Sequence, residues 1–301
     1  MCAMKCVPVL RKGLGWLADV PDGRDFTLDT YRVKRLLEGL GRSRGGNALR
    51  ETEVDLGEFF LEAEDQNGQN SSPAFACAGL VEYFQARCTG VYVRLAKPFL
   101  YQNAKRVQRI QGDFGVGIRA TWKALVRSGA PPEEFYRSSV PDGKVPEQDP
   151  FLFSFARDYH ELVYFRLDER NVSGDATLKR IKALLAAGIP CVLGFPVPAH
   201  LRDGPDIPYG YGKNASCGGQ AAIAVGYRDG LRYSVKGALR IRNSWGTEWG
   251  INGYGFLPYA YVRERLARDI WTILRKDWVF SGEFNLPLLD EVFQPPRRGN
   301  A

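Results

Sequence analysis

The chain has 301 residues and a formal net charge of +7, with apolar, charged and aromatic fractions ordinary for a globular protein. That length buries one large domain or two lobes, and no apolar run is long enough to span a bilayer. The positive charge can attract nucleic acid or an acidic partner, but no nucleic-acid fold signature accompanies it, so a solvated basic surface is the plainer reading.

Met1 to Leu10 is too short in its apolar part and lacks a small-residue cleavage site, so no signal peptide is expected. The six cysteines (Cys2, Cys6, Cys77, Cys88, Cys191, Cys217) are scattered, and the only histidines are His160 and His200. No cysteine pair has zinc-like spacing with a histidine. Free thiols, a frayed terminus carrying Cys2 and Cys6, a reducing cytoplasmic compartment, and neither metal nor cofactor are expected.

Residues 1–53 read as an extension. Gly13 to Leu17 and Pro21 to Phe26 are turn-rich with aromatic anchors. Tyr31, Val33, Leu36, Leu37 and Leu40 form one amphipathic helix face, and Gly39 to Gly46 is a loose linker. Basic residues gather in Arg32, Lys34, Arg35, Arg42, Arg44 and Arg50, in Lys105, Arg106 and Arg109, and in Arg297 and Arg298.

Residues 54–150 read as mainly helical. Asp65-Gln66-Asn67-Gly68-Gln69-Asn70-Ser71-Ser72-Pro73-Ala74-Phe75-Ala76 is a polar turn running into a buried helix. Ser72 fits the N-cap and Pro73 the first helical position. Such an N-terminus offers free backbone donors and a positive dipole end beside Ser72. Lys97 to Ala104 and Ala120 to Ser128 are further helices, and Pro131 to Tyr136 closes this part. Gly115-Val116-Gly117 is either a plain turn or a strip where backbone can approach a ligand closely. Pro150 to Asp158 stays unassigned.

From His160 strand signals dominate over residues 151–278: Leu162–Leu167, Pro190–Val197, Ala221–Tyr227, Ala238–Ser244 and Gly253–Pro258, with a helix at Thr177–Ala187. Residues 279–301, with Pro287, Pro295 and Pro296, read as a tail. There is no internal repeat.

The most specific pattern is Asn243-Ser244-Trp245-Gly246-Thr247-Glu248-Trp249-Gly250-Ile251-Asn252-Gly253-Tyr254-Gly255. Its paired Trp-Gly steps let large aromatics pack where the backbone turns. With Gln66 to Phe75, and with Gly218-Gly219-Gln220-Ala221 running into Val225-Gly226-Tyr227, it resembles the papain-like family of cysteine peptidases over residues 13–278. Trp16 followed by Arg24-Asp25 is similar to the N-terminal segment of bacterial members. The resemblance implies an α+β, two-lobed papain-like fold: a helical lobe (54–150) and a β-rich lobe (151–278) flanking a cleft. It implies that Gln66 is the oxyanion-hole glutamine, that Asn243 orients the base, and that Trp245 shields that bond. It aligns Gly115, Val116 and Gly117 with the strip that pairs with an extended substrate, and Cys217, Gly218 and Gly219 with the opposite cleft wall. Whether residues 1–53 cover the cleft, as an inhibitory propeptide would, is open at this level.

The sequence departs from the family at both dyad positions: Ser72 stands at the cysteine and Gln220 at the histidine, with Pro73 where tryptophan is usual. A serine hydroxyl needs a general base, and a carboxamide exchanges no proton near neutral pH. Loss of the base alone forfeits on the order of 10²–10⁴ in rate, against roughly 10³–10⁴ over water that oxyanion hole and binding can retain. A Ser72···Gln220···Asn243 chain would be a fully satisfied polar network. The expectation is therefore a non-enzyme, a pseudopeptidase serving as a peptide- or protein-binding scaffold or regulator through main-chain hydrogen bonds in the cleft. The competing reading is a repurposed acyl transferase, cyclase or hydrolase using Ser72, or Cys217 with His200. A basic nucleic-acid scaffold is a third. Asp65 as a carboxylate base is less favoured than a turn-capping role, His160 reads as structural or exposed, and Cys77 reads as a small buried hydrophobe.

Overall fold

The computed structural model describes residues 11–38, 51–139, 150–156, 159–201, 204–209, 216–232, 235–279, 281 and 283–284. The Gly39 to Gly46 linker, Cys2, Cys6, Arg42, Arg44, Arg50, Arg297, Arg298 and the proline-rich end lie outside these residues. An extended arm from Arg11 leads to α1 (Tyr31–Glu38), β1 (Glu53–Asp55) and a 3-10 turn (Gly57–Phe59). The helical lobe follows as α2 (Ser72–Thr89), α3 (Lys97–Gln108), α4 (Ile118–Ser128), α5 (Glu133–Ser139) and α6 (Pro150–Phe155). The β-rich lobe contains β2 (Val163–Arg166), α7 (Gly174–Ala186), β3 (Cys191–Pro198), β4 (Ser216–Arg232), β5 (Val235–Arg242), β6 (Tyr254–Pro258), α8 (Tyr259–Arg263), β7 (Arg268–Leu274) and α9 (Lys276–Val279).

The α2 helix ties the lobes together. Ala74, Cys77, Ala78, Leu80 and Val81 are fully buried, and Tyr83 and Phe84 nearly so. Gly79 brings the helix against the sheet: a β-carbon there would lie 3.0 Å from the Ile223 methyl and 3.2 Å from the Arg242 guanidinium. The helix stops at Gly90, whose φ of 69° suits a residue with no side chain. Ser173 caps α7 by accepting from the Ala176 amide at 3.2 Å.

The sheet is antiparallel in the order β2-β7-β3-β4-β5-β6, and β1 pairs with β4 beyond this path. Apolar residues of β3, β4 and β7 point into one core that also receives Leu14, Trp16, Leu28, Val33 and Leu37 of the arm and α1. The strand predicted at Ala221–Tyr227 is much longer. Its glycines, Gly218, Gly219, Gly226 and Gly230, blur the alternation that marks a strand, yet each can sit in a paired backbone. The unassigned stretch from Pro150 begins with α6, whose Phe155 stacks on Phe135 at 4.3 Å and whose Phe153 meets Phe99 at 4.9 Å.

A buried ion cluster stiffens the helical lobe. The Lys97 side chain is 2 % exposed, and its Nζ donates to Glu82 Oε1 at 2.6 Å. Glu64 stands 2.6 Å from the same nitrogen as an ion pair without hydrogen-bond geometry, and Leu95 N donates to Glu82 Oε1 at 2.7 Å. Removing one partner of a buried pair strands the other in low dielectric. Glu82→Ala is expected to lower the unfolding free energy by about 3 kcal/mol, near the low end for such deletions because Glu64 remains. Urea denaturation of the variant checks this.

Candidate active site

Ser72 opens α2 rather than capping it; the N-cap position falls to Ser71, whose hydroxyl makes no cap bond. Pro73 is therefore the second helical residue, still among the first four whose N–H has no intrahelical acceptor. Ser72 is fully buried, and its Oγ accepts from Ala221 N of β4 at 3.1 Å. Its own N–H points into the cleft and donates to the Leu14 carbonyl at 3.2 Å.

Gln66 precedes the helix in the polar turn and donates through Nε2 to the same Leu14 carbonyl at 2.8 Å. Its Oε1 accepts from Ser244 Oγ at 2.6 Å and from Gln220 Nε2 at 3.3 Å. Gln220 Nε2 donates to Asn243 Oδ1 at 2.7 Å and approaches Ser244 Oγ at 3.2 Å. Asn243 Oδ1 also accepts from Ser244 N at 2.9 Å. The expected Ser72···Gln220···Asn243 chain is thus redrawn. Gln220 turns its amide nitrogen toward Gln66, Asn243 and Ser244, while Ser72 Oγ bonds the β4 backbone. The network is also not fully satisfied, because Gln220 Oε1 and Asn243 Nδ2 are buried without a hydrogen-bond partner. Ser244 was not singled out from the sequence, although it lies inside the Asn-Ser-Trp motif.

The cleft holds the arm. Gly15 N and Trp16 N both donate to Gly219 O at 2.9 Å, Val116 N donates to Gly15 O at 2.9 Å, and Leu17 N to Val116 O at 3.1 Å. Gly115 takes φ 92°, and a β-carbon there would lie 2.2 Å from Gly15 O. The glycine strip Gly115-Val116-Gly117 and the Gly218-Gly219 wall are therefore approached at backbone contact by residues 13–17. At Gly218 a β-carbon would fall 2.7 Å from the Leu14 side chain. Asn70 Oδ1 accepts from Leu14 N at 3.0 Å, and Trp245 Nε1 donates to Gly13 O at 2.9 Å while its ring meets Trp249 edge-on at 5.3 Å. Tyr101 holds the strip in place: its hydroxyl donates to Asp113 Oδ1 at 2.7 Å and accepts from Gly115 N at 3.2 Å.

Trp16 anchors the arm. A β-carbon at Gly194 would lie 2.1 Å from its ring, so this strand position can only be glycine while the indole is seated. The indole Nε1 donates to buried Asp269 Oδ2 at 3.0 Å, and Asp19 N donates to the same oxygen at 2.7 Å. Arg119 Nε and Nη2 grip Asp25 in a fork at 2.7 and 2.5 Å, and Arg119 Nη1 donates to Val20 O at 2.8 Å. Arg166 reaches Asp269, Asp168 and Asp25 at 2.5, 2.9 and 3.3 Å. Burial, then the Asp269 carboxylate, pushes the Asp19 carboxyl up to about 7. Burial pushes Asp168 up to about 6 against the pull of Arg166.

Cys217 is disulfide-bonded, so it has no thiolate to offer and the expectation of a reactive Cys217 is corrected. Cys77, Cys88 and Cys191 are free, and burial pushes the Cys77 thiol well up, as an inert core residue requires. His200 lies in a turn after β3 and His160 in a turn before β2. Asp65 Oδ1 accepts from Asn67 N at 2.7 Å, a turn-capping contact. Among the described residues no group of three His, Cys, Asp or Glu side chains can hold a metal, and no helix is long and apolar enough to cross a membrane.

A central helix meeting an antiparallel sheet across a cleft, with a glutamine donor, an Asn-Ser-Trp turn and a glycine strip, defines the papain-like fold. The chain is 29 % identical over 287 residues, 88 % of its length and 87 % of the relative's, to an uncharacterised peptidase C1-like protein of Acanthamoeba polyphaga mimivirus. Among solved structures it is similar to xylellain, a cysteine protease from Xylella fastidiosa, at 26 % identity with a TM-score of 0.67, over 88 % of this chain and 97 % of that one. A procathepsin B from Trypanosoma congolense shares the fold at 16 % identity and a TM-score of 0.62, covering 89 % of this chain and 87 % of its own. No family model matches. These likenesses overturn the expectation of a non-enzyme: the relatives carry cysteine-peptidase names and point to an enzyme.

Proposed function

We propose that the chain is an acyl-transfer enzyme of the papain-like class that grips an extended peptide or protein segment in its interlobe cleft and uses Ser72 as nucleophile. One observation carries this reading: a peptide carbonyl, that of Leu14, receives two converging donors, Ser72 N at 3.2 Å and Gln66 Nε2 at 2.8 Å. Two such donors beside a hydroxyl are the arrangement that stabilises the oxyanion of acyl transfer.

The residue beside Ser72 selects the substrate class. Gln220 is a neutral carboxamide and cannot shuttle a proton between the serine and a departing amine. Amide cleavage expels a strongly basic amine that must be protonated as it leaves. A thioester or activated ester expels a weakly basic thiolate or oxyanion that needs no such help. In the favoured step Ser72 Oγ bonds to the acyl carbon, the carbonyl charge falls on the two donors, and the C–S bond breaks. The thiolate or solvent takes the hydroxyl proton. The substrate is then an activated acyl group on a chain held by Gly219 and Val116.

Incubation with an acyl thioester, followed by intact-mass analysis, tests this. The protein is expected to gain one acyl group on Ser72, and Ser72→Ala to gain none. A label that persists in Ser72→Ala, or no label even when the arm has been displaced from the cleft, overturns the proposal.

A further inference from the structure

We propose that the acyl group on Ser72 passes to an amine, the N-terminal α-amino group of a second peptide, and not to water, so that the chain joins segments through an amide bond. This rests on the acyl-transfer reading and names its acceptor. The observation behind it is a pair of bare polar atoms. Gln220 is fully buried and Asn243 nearly so. Among the described residues, Gln220 Oε1 and Asn243 Nδ2 have no hydrogen-bond partner.

Their neighbours fix which atoms are bare. Ser244 N donates to Asn243 Oδ1 at 2.9 Å, which sets the way round that the asparagine amide lies. Gln220 Nε2 donates to that oxygen at 2.7 Å, with Ser244 Oγ and Gln66 Oε1 at 3.2 and 3.3 Å from the same nitrogen. Turning Gln220 over would set its oxygen against the carbonyl oxygens of Asn243 and Gln66. The two carboxamides therefore share one hydrogen bond instead of the two of a closed amide pair. One acceptor and one donor are left over, and each costs free energy until a ligand meets it.

These atoms border the reacting carbon. Ala221, next to Gln220, donates its N–H to Ser72 Oγ at 3.1 Å. Gln66, whose Oε1 accepts from Gln220, meets the Leu14 carbonyl through Nε2. The arm marks two sides of that carbonyl. Gly15, Trp16 and Leu17 run along Gly219 and Val116, where the acyl chain is held. Gly13 lies on the other side, bonded to Trp245, two residues beyond Asn243. With the arm displaced, this second side is open to an acceptor.

The bare atoms select that acceptor. An amine N–H meets Gln220 Oε1 and a carbonyl meets Asn243 Nδ2; an α-amino group followed by a peptide carbonyl carries both. Water needs a base before it attacks, whereas a neutral amine does not. None of Gln66, Ser72, Gln220, Asn243 and Ser244 is a base near neutral pH. In the step the amine nitrogen bonds to the acyl carbon, and the carbonyl charge falls on Ser72 N and Gln66 Nε2. The bond from that carbon to Ser72 Oγ then breaks. One proton passes from nitrogen to Oγ, and the remaining N–H stays on Gln220 Oε1. An amide and a free hydroxyl result. The same path run backwards is the amide cleavage this site performs poorly, because it starts from the more stable bond.

The test loads Ser72 from an acyl thioester, removes the excess, and follows intact mass with and without glycinamide. In buffer alone the acyl mass is expected to persist, because attack by water without a base forfeits on the order of 10²–10⁴ in rate. Glycinamide is expected to discharge it at least about tenfold faster, releasing the acyl-glycinamide. That rate should rise with pH through the amine's own ionisation, at about 7.7–8.0 for an α-amino group. An alkylamine without a carbonyl, compared at equal concentration of the neutral form, should act more slowly. Gln220→Glu supplies a carboxylate and is expected to hasten discharge to water. Discharge that ignores glycinamide, or that answers equally to the alkylamine, overturns the proposal and leaves the acyl-enzyme reading standing. Absence of any acyl group on Ser72 overturns both. The unaltered protein decides each, even if the Gln220 variant folds poorly.

Discussion

Gln66→Ala is expected to slow acylation of Ser72 by about 10²–10³, the usual cost of removing one oxyanion-hole donor. Gln66 Nε2 lies 2.8 Å from the peptide carbonyl in the cleft, closer than the Ser72 amide at 3.2 Å. The backbone donor survives the change, and because Nε2 also tethers the arm through the Leu14 carbonyl, the rate is read with the arm displaced from the cleft. Gln66 Oε1 also serves Ser244 and Gln220, whose hydrogen bonds would need new partners. Gln66→Glu separates the two effects, because it keeps an acceptor for Ser244 and Gln220 and lacks the donor. Single-turnover acylation with the thioester, measured for both variants, is expected to give similarly low rates. A variant at the rate of the unaltered protein would show that the two donors play no part in the chemistry.

Gly194→Val is expected to expel Trp16 and open the cleft. The glycine has no left-handed φ, so the β3 backbone accepts a side chain; the obstacle is the indole ring 2.1 Å from the new atom. An aromatic ring of this kind buries on the order of 150–250 Å², worth roughly 4–6 kcal/mol at about 25 cal/mol per Å². Loss of half that amount raises the population of the open cleft by about 30–150-fold. Hydrogen exchange at Gly15, Trp16 and Leu17 should quicken by a similar factor while the β3 and β4 amides stay protected. Acylation of Ser72 should accelerate in parallel. If the amides of residues 15–17 remain sheltered, the arm is not held by its tryptophan.

The sequence made the frame of the site legible because its motifs are long and their spacing is stiff. Gln66 to Phe75, Gly218 to Tyr227 and Asn243 to Gly255 each contain residues whose type is dictated by backbone geometry as well as by chemistry. What it hid was the identity of contacts made across hundreds of residues. Asp19 and Asp269 are 250 positions apart, and nothing in a linear reading shows that they share a pocket. Trp16 looked like an aromatic anchor, but its partner, Gly194, has no side chain to advertise the contact. The disulfide at Cys217 was missed because scattered cysteines carry no spacing signal. The inference from Ser72 and Gln220 to a non-enzyme went too far for a different reason. It gave the difficulty of amide hydrolysis more weight than the competing reading of a repurposed acyl transferase, cyclase or hydrolase, and the cysteine-peptidase relatives point to an enzyme.

The arm has a second task besides filling the groove. Beyond the cleft it runs beside β2, the outermost strand on that side, where Arg166 N donates to Phe26 O at 2.8 Å and Thr27 bridges Arg166. It thereby pairs with the Arg166 end of that strand, whose backbone groups would otherwise be a template for neighbouring chains. Whatever frees the groove by stripping this segment completely also bares those groups. Unmasking and self-association are then coupled, and a molecule opened by loosening only residues 13–17 would stay dispersed where a truncated one would clump.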